Sequence, residues 1–169
     1  NFDLPNFGYG YIITSTLNIS GAIMNLPSGV NIYLNSYGIN INSYNNGANS
    51  RQAKLNGINI SFISTSSTTP VVSYNGGLYN SIIYPAGGSL DHCSFENITL
   101  RFNANSDPAI TYSKIFRSKL GMFCATNALP TIRNNDFFNN TIAFQDVGTQ
   151  ILDITNNYWG HQTGPSNSG

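Results

Sequence analysis

His92, Lys114, Asp136 and Tyr158 recur at intervals of 22 residues, and together they offer a base, a cation, a carboxylate and a phenol. Stacked in register, they would form a polar strip that binds or cleaves a glycan, with Lys114 or His92 as the base. The plainer reading is a solvent-facing ladder in which Lys114 and Asp136 make an ion pair of small value, and the residue types favour it. A calcium site needs several converging oxygen ligands. Asp91, Asp107, Asp136, Asp146 and Asp153 instead fall in five different positions of the repeat. Glycoside hydrolysis needs two carboxylates about 5–9 Å apart, and no Asp-Asp pair occurs. No Cys/His spacing suggests zinc. No catalytic residue, metal or cofactor is therefore assigned, and the chain reads as non-catalytic.

The strip depends on a repeat. Leu90–Thr111, Tyr112–Arg133 and Asn134–Thr155 align as coils of 22 residues, and a fourth copy opens at Asn156. One column then holds Cys93, Ile115, Phe137 and Trp159. Others hold Ile98, Leu120 and Ile142; Leu100, Met122 and Phe144; and Ile110, Ile132 and Ile154. Pro108 stands over Pro130, and Asn134-Asn135 over Asn156-Asn157. Within a coil, apolar columns alternate with polar or small ones, a period of two that marks strands with one buried face. Turn residues separate the pieces. Helical solenoid repeats run longer and carry a different internal spacing.

The expected fold is all-β: a right-handed parallel β-helix, a single-stranded solenoid of six or seven coils of about 22 residues. Residues 1–169 form one domain, with irregular coils over 1–89, regular coils over 90–160 and a C-terminal tail over 161–169. In this register Cys93 and Cys124 occupy different columns, so both are expected to be buried free thiols rather than a disulfide. Trp159 is expected to pack in the core over Phe137. Tyr37, Tyr44, Tyr74, Tyr79 and Tyr84 lie in irregular stretches and are candidates for an aromatic face.

Seven Lys+Arg balance seven Asp+Glu, and only 8% of residues are charged. Nucleic-acid binding needs a basic face that this chain cannot build. Its polar surface must come from Asn, Ser, Thr, Gly and Tyr, which suits neutral sugars or further copies of itself and does little to keep copies apart. No apolar run reaches membrane-spanning length. The sequence starts at Asn1 without Met, which fits a processed or excised fragment, and the expected location is extracellular, with a signal peptide removed. Asn18, Asn59, Asn97 and Asn139 sit in Asn-x-Ser/Thr sequons and are candidate glycosylation sites.

Asn156-Asn157-Tyr158-Trp159-Gly160, followed by Gly164-Pro165, resembles the closing motif of many exported β-helix proteins. Pro130-Thr131-Ile132-Arg133-Asn134-Asn135-Asp136-Phe137 resembles a coil of the pectate-lyase-like, NosD-like superfamily, and Gly57–Phe95 is similar to its entry coils. The resemblance covers roughly residues 25–165. It implies the right-handed parallel β-helix and no single activity, because this fold carries lyases, hydrolases, epimerases, adhesins and structural proteins. The Asn-Thr-Asp, Gly-His-Gly and Arg-Ile-Lys motifs of its polygalacturonases are missing, and Gly160-His161-Gln162 does not replace them. The expected function is a structural or adhesive surface protein that associates with itself through coil ends or flanks. The alternative is a protein that binds or processes carbohydrate.

Overall fold

The computed structural model describes residues 2–44 and 50–160. The regular elements there are all strands, and most join one of three parallel sheets. The first sheet holds β1 (Phe2–Asp3), β4 (Ile23–Asn25), β7 (Ala53–Ile58), β13 (Ser89–Asp91), β16 (Ala109–Thr111) and β19 (Thr131–Arg133). The second holds β2 (Tyr11–Ile12), β5 (Asn31–Tyr33), β8 (Ser61–Ile63), β14 (Ser94–Glu96), β17 (Lys114–Phe116) and β20 (Asp136–Phe138). The third holds β3 (Leu17–Ser20), β6 (Ile39–Asn42), β9 (Val71–Asn75), β15 (Thr99–Phe102), β18 (Leu120–Cys124) and β21 (Ile142–Asp146). The chain therefore visits the sheets in fixed rotation. Three strands fall outside that rotation: β10 (Gly77–Tyr79) and β11 (Ile82–Tyr84) form an antiparallel hairpin, and the short β12 (Ala86–Gly87) lies beside β7.

Alternation within each strand decides what is buried. Ile32, Phe62, Phe95, Ile115 and Phe137 lie in register through the second sheet and are all buried. Ile39, Val72, Leu100 and Met122 do the same in the third. Like side chains repeat about every 4.8 Å, so rings stack: Phe62 on Phe95 at 5.0 Å, and Phe137 on Trp159 at 4.6 Å. Trp159 is half-buried and packs against the core over Phe137, as its column suggested.

The corners carry a second code. Asn59, His92, Tyr112, Asn134 and Asn156 all have φ between 49° and 60°. This left-handed conformation suits Asn far better than most residues. The next residue at these corners turns inward. Cys93 N–H donates to Ser113 Oγ, Ser113 N–H to Asn135 Oδ1, and Asn135 N–H to Asn157 Oδ1. A second inward ladder joins Ile98 N–H to Ser118 Oγ and Ser118 N–H to Asn140 Oδ1.

These ladders correct the uniform 22-residue register. Cys93 and Ser113 are 20 residues apart, and Ser113 and Asn135 are 22 apart. Ile115 therefore stands over Phe95 instead of Cys93, and Lys114 over Ser94 instead of His92. The circuit through β14 is short at the corner between Phe95 and Leu100, while Leu100, Met122 and Phe144 pair as expected. Ile110 pairs with Ile132 and Leu120 with Ile142, as expected, but Ile98 stands against Ser118 instead of Leu120. Cys93 is as buried as the apolar residue it was assigned to match, so burial alone could not expose the slip. Cys93 and Cys124 are both buried free thiols.

Candidate functional site

The outward face of the second sheet carries the candidate strip. One column runs Asn31, Ser61, Ser94, Lys114, Asp136 and Tyr158. Lys114, Asp136 and Tyr158 are thus brought together, and His92 is not. Lys114 and Asp136 are ladder partners, yet no ion pair within 4.0 Å joins them. Lys114→Ala should therefore change unfolding free energy by less than about 0.5 kcal/mol, the usual range for an exposed substitution. Urea denaturation reads this directly, and a loss above about 2 kcal/mol would show a role the ladder does not explain.

His92 sits at the corner between the first and second sheets. Its Nδ1 lies 2.8 Å from Asp91 Oδ2, and its ring stacks on Tyr112 at 5.1 Å. The Thr111 hydroxyl donates to the other Asp91 oxygen at 2.6 Å. Burial would raise the Asp91 carboxyl, but the Thr111 and His92 hydrogen bonds outweigh it and hold it below the ordinary carboxylate range. A carboxylate-oriented imidazole is a competent base. The nearest thiol cannot serve beside it, because burial pushes Cys93 up to about 11 and its Sγ contacts the Asp91 and Gly57 carbonyls.

A second outward column runs Ile12, Tyr33, Ile63, Glu96, Phe116 and Phe138. Phe116 and Phe138 stack at 4.8 Å and 8°. Each therefore covers one face of the other. Arg117 bridges to Glu96 at 2.6 Å, and Arg133 pairs with Asp153. The Arg133 hydrogen bond holds the Asp153 carboxyl low. The five aspartates remain dispersed, and among the described residues no group of three His, Cys, Asp or Glu converges as metal ligands would.

The sequons divide. Asn59 and Asn139 are exposed at left-handed corners. Asn18 is exposed, and its Oδ1 accepts from Asn40. The Asn97 amide is fully engaged: it donates to the Ser64 and Ser66 carbonyls and accepts from Thr69. Its sequon partner Thr99 is buried and donates to the Leu120 carbonyl. Of the irregular tyrosines, Tyr74 is wholly buried, and that burial raises its hydroxyl pKa. Tyr79 and Tyr84 lie on the hairpin, so the five do not form a single face.

Outward asparagines form ladders that the repeat alone did not identify. Asn25 donates to Asp3 and Asn56 to Asn25; Asn75 donates to Asn42 and Asn103 to Asn75. Their signal was present as Asn alternating with apolar residues, as in Ile39-Asn40-Ile41-Asn42. These amides spend much of their hydrogen-bonding capacity on each other.

Among the described residues no helix is long and apolar enough to cross a membrane. The chain matches no family model, no curated protein and no solved structure.

Proposed function

We propose that this protein is a non-catalytic structural or adhesive protein of an extracellular surface, and that it associates with copies of itself through the ends or flanks of its stack. On this reading the three rotating sheets are a right-handed parallel β-helix of the pectate-lyase-like, NosD-like kind, the hand that parallel crossovers almost always take. The observation that carries the proposal is the sparsely charged, partly apolar surface of the circuits before Asp91. Phe7, Tyr9 and Ile12 in the first circuit and Ile142, Val147 and Ile151 near the last are exposed. No Asp, Glu, Lys, Arg or His lies between Asp3 and Arg51 or between Lys54 and Asp91. Strand edges and apolar side chains in these charge-free stretches lack the guarding charges that resist association, whereas Asp146 and Asp153 flank Val147 and Ile151 in the last circuit. Sedimentation velocity across a wide concentration range, without any glycan, tests it. Growth of the sedimenting species with concentration supports self-association, and a monomer at every concentration contradicts it.

The second reading is carbohydrate binding or processing, and the Asp91–His92 pair is what favours it. Binding or turnover on a glycan array that is lost in His92→Ala would move the conclusion there.

A further inference from the structure

We infer that the β10–β11 hairpin is a self-recognition edge through which two copies of the chain meet across a two-fold axis at Ile83. This rests on the self-association reading and assigns it a place.

The hairpin is a specified structure. Asn80 and Ser81 both have positive φ, at 47° and 64°, and join the strands by a two-residue turn of the primed kind. Glycine is required where the excursion leaves and rejoins the stack. A Cβ on Gly76 would overlap the Asn105 carbonyl, and one on Gly88, at φ 112°, would overlap that of Leu55. Ser43 Oγ ties down the base, donating to the Pro85 carbonyl at 2.8 Å and accepting from Ala53 N–H.

What this anchored hairpin presents is apolar. Leu78 and Ile83 are direct cross-strand partners, so their side chains share a face, and they are 54% and 56% exposed. Ile82, on the other face, is equally exposed. The hairpin strands themselves carry no charged residue, so a charged partner surface would lose water against them without gaining a counter-ion from them. An uncharged partner fits, and the hairpin itself is such a surface.

Its backbone fits as well. Tyr79 and Ile82 close the two-residue turn and bond to each other, so by the antiparallel alternation the Ile83 N–H and C=O point away from β10. Among the described residues β11 pairs only with β10. Two antiparallel copies can therefore exchange Ile83 N–H to Ile83 C=O bonds in both directions while their Leu78–Ile83 faces join. Two positions on, Pro85 has no N–H to give. The contact thus closes as an isologous pair and does not extend along the edge. It is small, so association is weak and concentration dependent.

Sedimentation of wild type, Ile83→Lys and Ile83→Val tests this. The Lys variant should weaken association at least tenfold at unchanged melting temperature, and the Val variant should retain it. In parallel, Ile83→Cys should oxidise to a covalent dimer at least tenfold faster than Ile12→Cys. A bonded antiparallel pair puts Cα atoms about 5.5 Å apart, within disulfide reach. If wild type associates while Ile83→Lys associates equally well and the two cysteine variants oxidise alike, the hairpin is not the contact, although self-association stands. A wild type that stays monomeric overturns both.

Discussion

Ile132→Asp should unfold the last circuits or leave the chain insoluble. Ile132 is wholly buried, paired with Ile110 on one side and neighbouring Ile154 on the other, and its N–H donates to the Asp153 carbonyl. The substitution loses the aliphatic contacts, about 2–5 kcal/mol for a large-to-small core change. It also buries a carboxylate with no cation beside it, a further penalty of several kcal/mol. A domain of this size has only about 5–15 kcal/mol in total. Ile132→Val should cost about 0.5–1.5 kcal/mol, which separates charge burial from mere change of shape. Hydrogen exchange would show protection lost first around β16 and β19. A soluble Asp variant with native melting would mean that this column is not in a dry interior.

The second large effect is expected at Asn135. Its side chain is wholly buried and makes three bonds. Oδ1 accepts from Ser113 N–H at 2.9 Å, and Nδ2 donates to the Ile110 carbonyl and to Asn157 Oδ1. Asn135→Leu keeps the number and branching of the side chain's heavy atoms and removes all three. Each buried group left unpartnered costs about 1–3 kcal/mol, so a loss of roughly 3–5 kcal/mol is expected in urea denaturation. Asn134, next to it, should behave differently. It has φ 56° and needs only backbone freedom, so Asn134→Gly should stay within about 0.5 kcal/mol, close to the small Gly/Asn difference at such corners. If the two substitutions cost the same, the division into an outward corner residue and an inward bonding residue is wrong.

This pair shows what the sequence could and could not reveal. Asn134-Asn135 over Asn156-Asn157 was visible as a repeat, because identical residues in register leave a direct trace. Which asparagine turns inward was not, because it depends on the sign of φ at the corner. The columns of Ile110–Ile132 and Leu100–Met122 were legible from apolar alternation. The column through residue 93 was not, since Cys93 and Phe95 are both buried and either satisfies a hydrophobic pattern over Ile115. A corner two residues shorter than the next leaves no signature in burial, only in the strand register and in the inward bonds from Cys93 N–H to Ser113 Oγ and from Ile98 N–H to Ser118 Oγ. That slip separated His92 from Lys114 and turned a four-residue strip into Lys114–Asp136–Tyr158 and a distinct Asp91–His92 pair. The hairpin lay in plain view as Gly-Gly, Asn-Ser and an uncharged apolar run. It interrupted the repeat, so periodicity could not place it.

Negative-stain microscopy of the purified protein at several concentrations, beside light scattering, shows whether the protein assembles with itself. Self-association through the sparsely charged surface predicts paired particles, rods or larger arrays that increase with concentration and need no added glycan. Single, monodisperse particles at the highest concentration would contradict it and shift attention to the Asp91–His92 pair as the working part of the molecule.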